Sequence, residues 1–302
     1  MKKKVAISIG DINGIGIQLV LENHHIVSKL CEPIYCIDKK LLKKASKRLA
    51  LDIPCDFRIY GEYTKTKITP SSIKKDSGLF SYESFLTAIN LAKDKKVDAI
   101  CTLPIHKKAW EKAGISYVGH TDMLRDIFKK DAIMMLGCQK MFVALYTEHI
   151  PLKDVAKHIK TKKLIKFFTD FYSSINYKKP IGVLALNPHA GDGGVLGKEE
   201  KKIQKAIKKV NKTLGTKYEL LVPDVAFTKN NRKKYKYFCA MYHDIGLATL
   251  KALYFEESIN VSLNLPILRV SVDHGTAFDI AYQNKTISNL SYINAIKSII
   301  ET

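Results

Sequence analysis

The sequence predicts an α/β protein in which mostly parallel strands are flanked by helices. Short apolar runs rich in valine, isoleucine and leucine, typical of strands buried on both faces, alternate with longer amphipathic stretches of helical spacing. The chain has 302 residues, of which 46% are hydrophobic and 26% are charged, which is a globular composition. This length suits one large domain or two medium lobes, with ample chain to bury a core.

Strands and helices alternate along the first part of the chain. The segment "KVAISIG" is a predicted strand, followed by a glycine turn and a helix from about Ile17 to Lys29. A second strand, "EPIYCID", precedes a lysine-rich helix. The stretch "YESFLTAINLAKD" has apolar residues on one helical face, with Ser81 as the predicted N-cap, and "VDAICTLPI" is then a buried strand. Further apolar runs predict strands in the remainder of the chain: "KMFVALYTEH", "IGVLALNPH", "YFCAMYHD" and "LRVSVDH".

The net charge of +21 at first favours nucleic acid or anionic metabolites as partners. However, the lysines are spread along the whole chain, and most of them alternate with apolar residues at helical spacing. This pattern is typical of the solvated faces of amphipathic helices. No RNP, zinc-finger or helix-turn-helix motif accompanies the lysines. We therefore expect no nucleic-acid partner and a charge that is mostly solvated surface, with some value for attracting phosphates.

Three features bear on the compartment. No apolar run approaches the roughly 20 residues that a membrane helix needs. The apolar start of the chain ends at Asp11, which is too short for the roughly 7–15-residue core of a signal peptide. The six cysteines have no C-x-x-C spacing, and Cys101 and Cys239 lie within apolar runs, as expected of small buried residues in a reducing compartment. We expect a cytoplasmic protein with no membrane partner.

Histidines stand at the ends of five strand-like runs: His106, His149, His189, His243 and His274. In open α/β sheets, ligands bind just beyond the carboxyl ends of the strands, so these histidines together predict a site. Their wide separation excludes a local H-E-x-x-H motif but is compatible with three neutral imidazoles that hold a divalent metal. Nearby carboxylates are candidates to orient the imidazoles or to move protons: Asp192, Asp224 and Asp244. The spacing alone does not say which histidines bind metal.

Two glycine-rich segments are candidate phosphate loops. The segment "GDINGIG" follows the first strand and opens a helix, so its backbone amides are candidates to face an anion or a cofactor. Its glycines do not fit the G-x-G-x-x-G fingerprint of dinucleotide-binding folds. In "GDGGVLGKE" the glycine spacing is too long for a P-loop, and Glu199 stands where a serine or threonine would bind magnesium. We exclude a P-loop on these grounds.

A set of longer motifs resembles one known family. The segments "GHTDML", "LYTEHIPL", "LNPHAGDGG", "VPDVAF", "MYHDIGLATLK" and "LRVSVDHGTAFDIA" are similar, in order and spacing, to those of the 4-hydroxythreonine-4-phosphate dehydrogenases. The resemblance runs from "SIGDINGIG" to about Tyr282. It implies a two-lobed fold like that of isocitrate and isopropylmalate dehydrogenases, with the active site in the cleft between the lobes. We expect one lobe at about 1–119 plus 270–302, and a metal-binding, substrate-binding and dimerisation lobe at about 120–269.

The resemblance also implies a reaction. The family oxidises 4-phosphooxy-L-threonine with NAD or NADP, in vitamin B6 (pyridoxal 5′-phosphate) biosynthesis. The product, 2-amino-3-oxo-4-phosphooxybutanoate, loses carbon dioxide to give 3-amino-2-oxopropyl phosphate. The family is dimeric, with each active site shared across the interface between two identical subunits. One divalent metal is expected per site; three imidazoles suit zinc, while cobalt, manganese and magnesium are alternatives.

Residue roles follow from the resemblance, position by position. The metal ligands it implies come from both subunits of the dimer: His149, His189 and His243. The substrate-binding positions are His120, Thr121, Lys251, Asn260 and Arg269. The acidic residues near the metal, assigned here as catalytic, are Asp224 and Asp244. The resemblance gives no role to His106 or His274, and no cofactor-binding residue is assigned.

Three other functions compete with this one. A related dehydrogenase acting on phosphorylated four-carbon sugar acids, such as threonate or erythronate phosphate, would share the metal-binding and phosphate-binding motifs. A metal-dependent hydrolase would use the same histidines to activate water. A basic RNA-binding protein with a dead site would show salt-sensitive RNA binding and no turnover.

Overall fold

The structure, a computed structural model, describes residues 2–283 and 285–302. The strands are β1 (Lys4–Ser8), β2 (Glu32–Cys36), β3 (Ala99–Thr102), β4 (Ile133–Cys138), β5 (Met141–Leu145), β6 (Ile181–Leu184), β7 (Tyr218–Leu221), β8 (Tyr237–Ala240), β9 (Ile259–Leu263) and β10 (Leu268–Val272). The helices are α1 (Gly16–Leu30), α2 (Lys39–Leu49), α3 (Lys75–Lys93), α4 (Lys107–Lys112), α5 (His120–Phe128), α6 (Leu152–His158), α7 (Thr161–Ile175), α8 (Glu199–Leu214), α9 (Pro223–Ala226), α10 (Lys229–Lys234), α11 (His243–Tyr254) and α12 (Leu290–Ile300). The predicted α/β class, with mostly parallel strands flanked by helices, is confirmed.

The chain divides into two compact units. Unit 1 comprises the chain up to Lys130 together with Ile259–Val261 and Leu265–Thr302, and unit 2 comprises Asp131–Ser258 and Ser262–Asn264. The sequence analysis placed residues 120–269 in one lobe, whereas the contacts assign α5 and the first two residues of β10, Leu268 and Arg269, to unit 1. The reason for β10 is its pairing: it runs parallel to β3, with Arg269 opposite Ile100.

Unit 1 is built on parallel strands in the order β2-β1-β3-β10. The chain passes from β1 to β2 on one side and then returns past β1 to β3, so β1 and β3 flank a switch in direction. In α/β sheets this is the place where the carboxyl ends of the strands leave a crevice for ligands. The core beneath it is formed by apolar residues of the strands and of α3, α4 and α5, among them Phe85, Ile100, Trp110 and Met123.

The glycine loop after β1 serves packing. A Cβ on Gly10, which has φ +73°, would lie 2.2 Å from the carbonyl oxygen of Pro104, so the two segments approach too closely for any side chain there. Asn13 N–H donates to the Asp11 carboxylate, Gly14 N–H to Asp11 O, and Ile15 N–H to Thr276 O. These three amides are therefore satisfied within the protein and have no N–H left to bind an anion or a cofactor.

The predicted N-cap of the third helix is also wrong. Helix α3 begins at Lys75, so Ser81 lies inside it. Ser81 Oγ donates to Gly78 O at 2.8 Å and accepts from Trp110 Nε1 at 2.7 Å. Helix α4 approaches α3 closely at this point, because a Cβ on Gly78 would lie 2.1 Å from Ala109 O. Ser81 satisfies the buried indole of Trp110, which the local sequence around Ser81 did not indicate.

Unit 2 has strands in the order β4-β5-β8-β6-β7. The pairs β5–β8, β8–β6 and β6–β7 are parallel, and β4–β5 is an antiparallel hairpin. Helix α11 packs on this sheet through Gly246, where a Cβ would lie 2.5 Å from Val143 Cγ1 and 2.9 Å from Ala240 Cβ. The core between them contains Leu136, Val143, Phe238, Leu247 and Leu250.

The lysine-rich segments are helices, as predicted. In α8 the buried positions include Ile203, Ala206, Ile207 and Val210, and the lysines of this helix are exposed. Cys101 and Cys239 are buried as expected, whereas Cys55 is exposed. Within the described ranges, no helix has the length and apolar character needed to cross a membrane.

Candidate functional site

Four of the predicted site residues of unit 2 leave the sheet from neighbouring strands. His149 follows β5, His243 follows β8, His189 follows β6 and Asp224 follows β7. These four strands are adjacent in the sheet in that order and run in the same direction. Their carboxyl ends therefore meet at one edge, and the residues just beyond them are presented on the same side of unit 2.

His149 and His243 lie close together at this edge, with their ring centroids 5.6 Å apart. The register explains the proximity, because Leu145 pairs with Ala240 and the two histidines follow within a few residues. His243 Nδ1 lies 2.8 Å from Asp244 Oδ1. A carboxylate can only accept, so the proton sits on Nδ1 and the Nε2 lone pair remains for a metal or a substrate proton.

His189 lies in an unusual segment, which we call the His189 loop (residues 187–197). Five consecutive residues of this loop, 189–193, have positive φ values between 43° and 78°. Three of them, His189, Ala190 and Asp192, carry a side chain, for which this conformation is unfavourable. Backbone strain of this kind clusters at functional sites, where the surrounding structure holds it in place. Helix α9, which carries Asp224, contacts this loop.

The donor chemistry of the three histidines fits a divalent metal of the zinc type, which favours neutral imidazole. The hydrogen bond from His243 to Asp244 is the kind of outer contact that orients a metal-bound imidazole. Within residues 2–283 and 285–302, however, one chain does not bring three potential ligands together into a metal-binding group. The residue types therefore fit a metal, and the structure brings two of the three histidines, His149 and His243, close together.

Unit 1 contains a cavity of about 410 Å³ at the carboxyl ends of β3 and β10. Its walls are residues 102–105 and 271–275, together with Lys107, His120, Asn260 and Arg269. Three buried polar atoms in this wall have no hydrogen-bond partner among the described residues: His120 Nε2, Asn260 Oδ1 and His274 Nε2. A buried polar atom without a partner is costly, so this cavity is suited to a polar ligand that supplies the missing bonds.

Arg269 provides the buried positive charge of the cavity. Its side chain is 2% exposed, and its Nε and Nη2 donate to Thr102 Oγ1 at 3.1 and 2.7 Å. Burial lowers the pKa of Arg269 to about 10, which leaves the guanidinium charged at neutral pH. A fixed guanidinium is well suited to bind a phosphate or a carboxylate through paired hydrogen bonds.

His120 opens helix α5 and contacts the aromatic core, with its ring centroid 4.5 Å from that of Phe85. Burial, and then the nearby charge of Arg269, hold the pKa of His120 well below its usual value. The imidazole is therefore neutral near pH 7. His274 also contributes a ring to this wall, and its Nδ1 donates to Gly275 O at 3.0 Å.

The remaining predicted residues have different locations. Thr121 is buried in the first turn of α5, next to His120. Lys251 belongs to α11 in unit 2, with its Nζ 5.1 Å from the ring centroid of Phe255, and its contact with substrate stays a prediction. His106 precedes α4 and stacks on Phe278 with ring centroids 5.0 Å apart.

Comparison with known proteins places the chain in a family. The family model described as "Pyridoxal phosphate biosynthetic protein PdxA" matches residues 29–299. This chain belongs to the PdxA family. Among its relatives is the 4-hydroxythreonine-4-phosphate dehydrogenase of Sulfurimonas denitrificans, 59% identical over 301 residues that cover 99% of this chain and 97% of that protein. The enzyme of the same name from Campylobacter fetus is 52% identical over 303 residues, with the same shares covered.

Solved structures of the PdxA family have the same fold. The crystal structure of a 4-hydroxythreonine-4-phosphate dehydrogenase from Burkholderia phymatum matches with a TM-score of 0.83 at 27% identity, covering 100% of this chain and 98% of that one. The corresponding structure from Klebsiella pneumoniae also gives 0.83 at 27% identity and covers 99% and 98%. The family that the motifs resembled is thus confirmed.

Thr102 and Glu200 are among the residues at the site that the sequence analysis missed. Thr102 binds Arg269 across 167 residues of sequence. Glu200 binds the backbone of the His189 loop from the first turn of α8. The only available signal was positional, since Thr102 ends a strand and Glu200 stands at the start of a helix.

Proposed function

We propose that this protein is an NAD- or NADP-dependent, divalent-metal-dependent 4-hydroxythreonine-4-phosphate dehydrogenase. It oxidises the secondary alcohol of 4-phosphooxy-L-threonine to 2-amino-3-oxo-4-phosphooxybutanoate, which loses carbon dioxide to give 3-amino-2-oxopropyl phosphate. Membership of the PdxA family and the names of relatives up to 59% identical support the activity. The observation that carries the proposal is the cavity of unit 1, in which a buried guanidinium stands beside unpartnered polar atoms.

In this proposal the cavity binds the substrate through charge and hydrogen bonds. Arg269 binds an anionic group. The hydrogen bonds to Thr102 orient its guanidinium before the ligand binds. His120 is neutral, so its Nε2 can donate to or accept from a polar group of the substrate without adding charge. The unpartnered Asn260 Oδ1 accepts a hydrogen bond from a substrate donor, such as its ammonium or hydroxyl group. Thr121 and Lys251 complete the proposed set.

His149, His189 and His243 would hold the divalent metal. When bound, the ion supplies a positive charge that lowers the pKa of the substrate hydroxyl, and the nicotinamide cofactor accepts the hydride. Zinc suits three imidazoles best, while cobalt, manganese and magnesium remain alternatives.

The two proposed catalytic aspartates have separate tasks. Asp244 accepts from His243 Nδ1 at 2.8 Å, which fixes the tautomer and the direction of that ring. Asp224 is exposed at the start of α9, beside the His189 loop, and in this proposal its carboxylate accepts the proton that the alcohol releases.

The proposed active form is a homodimer in which the metal site is completed by the second copy. One chain offers an incomplete ligand set within the described residues. Large apolar side chains stand exposed next to the predicted ligands: Leu152 at 68%, Val195 at 81%, Leu196 at 50% and Val225 at 49%. Such apolar surface beside a site is typical of an interface, and a two-fold interface would complete both sites at once.

A turnover assay tests the function. The purified protein is mixed with 4-phosphooxy-L-threonine and either NAD or NADP, and the absorbance of the reduced cofactor is followed with and without a chelator. We expect turnover that the chelator abolishes and that added zinc or cobalt restores. Turnover of threonate or erythronate phosphate in place of 4-phosphooxy-L-threonine would assign the protein to the related sugar-acid dehydrogenases. Full turnover in the chelated protein would contradict the metal requirement.

A further inference from the structure

Glu200 is a buried carboxylate under the His189 loop. It lies in the first turn of α8 and is 4% exposed. Its Oε1 accepts from the backbone N–H groups of Leu186, at 3.0 Å, and Asn187, at 2.8 Å. Its Oε2 accepts from the side-chain Nδ2 of Asn187 at 2.9 Å. One carboxylate thus binds three donors where the chain leaves β6 and enters the loop.

The loop also packs against Glu200 further along. A Cβ on Gly191, which has φ +78°, would lie 2.6 Å from Glu200 Oε2. Beyond this point, Leu196 N–H donates to Gly191 O, and a Cβ on Gly197 would lie 2.2 Å from Asn187 Nδ2. The loop therefore wraps around the Glu200 carboxylate, touching it at its entrance and at its middle.

The direction of the His189 side chain depends on this arrangement. Within the part of the chain that the structure describes, no hydrogen bond, ion pair or ring contact is made by the His189 imidazole itself. Its direction is set by the backbone, which is left-handed from His189 to Gly193. Such a conformation costs free energy at residues with a side chain and persists only where the surroundings enforce it. Glu200 is a buried group that binds the chain just before this segment, at Leu186 and Asn187, and lies against Gly191 within it.

We propose that Glu200 is a positioning residue that fixes the His189 loop so that the His189 imidazole points toward the metal. This inference rests on the proposed function, in which His189 is a metal ligand. Glu200 does not itself touch the metal or the substrate. It acts through the hydrogen bonds to Leu186 and Asn187 and through its contact with Gly191.

Two substitutions disturb the contact in different ways. Glu200→Gln keeps an oxygen for the two backbone donors but places an amide N–H₂ against the N–H₂ of Asn187. Gly191→Ala leaves the carboxylate intact but inserts a methyl group against Oε2. Each has a matched control: Glu219→Gln, a carboxylate of unit 2 that accepts from Lys234 and Tyr235, and Gly193→Ala, a left-handed glycine of the same loop with open space around it.

The primary measurement is the affinity of the metal-free full-length protein for cobalt(II), followed by its visible absorption spectrum. Thermal unfolding is recorded in parallel. Loss of a group that orients a metal ligand typically lowers metal affinity by about 10–100-fold, and we expect this for Glu200→Gln and Gly191→Ala. The controls, Glu219→Gln and Gly193→Ala, should bind cobalt(II) nearly as the wild type does. We also expect a changed cobalt(II) spectrum in the two test variants, which a general loss of stability would not produce in the folded protein.

His189→Ala separates this inference from the proposed function. If His189→Ala binds cobalt(II) as tightly as the wild type, the assignment of His189 as a ligand is wrong. If His189→Ala loses binding while Glu200→Gln and Gly191→Ala keep wild-type affinity and spectrum, the ligand assignment stands and the positioning role of Glu200 is overturned. If Glu200→Gln does not fold, the comparison of Gly191→Ala with Gly193→Ala decides the question. Both substitutions put a side chain on a left-handed backbone, so they carry the same backbone strain.

Discussion

Replacing Arg269 with methionine separates the binding role of this residue from its role in the fold. Methionine approximates the length of the arginine stem and fills the site without a charge. If the guanidinium is present to bind an anion, its removal should weaken substrate binding strongly and change the stability of the protein little. A purely structural arginine would show the opposite behaviour.

The structure gives the magnitude of each effect. Burial lowers the pKa of Arg269 from 12.5 to about 10, and at 1.36 kcal/mol per pKa unit the buried charge costs about 3 kcal/mol. Methionine removes this cost but also the two hydrogen bonds to Thr102, which together contribute about 1–3 kcal/mol. The free energy of unfolding should therefore stay within about 2 kcal/mol of wild type. Loss of one charged hydrogen bond to substrate costs about 1.5–3 kcal/mol, which raises KM about 10–150-fold.

Initial rates over a range of 4-phosphooxy-L-threonine concentrations measure KM, and urea unfolding measures stability. Arg48→Met is the matched control, because Arg48 belongs to the same unit and its Nη1 donates to Ile68 O outside the cavity. An unchanged KM in an Arg269→Met protein with normal urea unfolding would refute the anion-binding role. A loss of several kcal/mol in stability would instead show that the guanidinium is mainly structural.

Three other outcomes can be measured. Burial, followed by a neighbouring positive charge, holds the pKa of His120 well below its usual 6.5, so below pH 6.5 the unfolded chain binds a proton that the folded chain does not. The free energy of unfolding should therefore decrease as the pH is lowered below 6.5, and it should decrease less in His120→Gln. If the urea midpoints of the two proteins depend equally on pH, this reasoning is wrong. Burial raises the pKa of Asp11 from 3.8 to about 6, so its contribution to stability is greatest below pH 3.8 and is lost as pH rises to about 6. Asp11→Asn should remove this loss of stability between pH 3.8 and about 6. The same loss in the variant as in the wild type, measured by urea unfolding, would disprove it. Finally, the variants His149→Ala, His189→Ala and His243→Ala should each be inactive alone. When His149→Ala is refolded with the variant whose missing ligand comes from the opposite chain, about a quarter of wild-type turnover should return. If mixed dimers form and no pair recovers, the shared site is wrong.

The strand-end histidines show what a sequence pattern can predict about a site. Parallel strands present their carboxyl ends at one edge, so a histidine that follows each apolar run stays near that edge after folding. The structure places His149, His189 and His243 after β5, β6 and β8, which belong to one set of neighbouring parallel strands. Their roles as ligands stay a prediction, since ligation depends on distances that no sequence pattern contains.

The features that the sequence did not predict depend on contacts between distant segments. Ser81 looked like a helix cap because capping preferences are local, but the indole N–H of Trp110 binds it in the core. Thr102 orients Arg269 only because β3 and β10 are neighbours in the sheet. Glu200 looked like an ordinary acidic residue in the first turn of a helix, and only the path of the His189 loop shows which backbone groups it binds.

The closely packed loop after β1 has a consequence for attempts to change coenzyme selectivity. In dinucleotide-binding folds, the backbone of the first glycine-rich turn approaches the pyrophosphate of the coenzyme. Here the amides of Asn13, Gly14 and Ile15 are bonded within the protein, and Gly10 has a carbonyl oxygen where a side chain would go. Libraries built at residues 10–16 should therefore yield mostly unstable variants, and mutagenesis aimed at the proposed use of NAD or NADP is better directed to other segments.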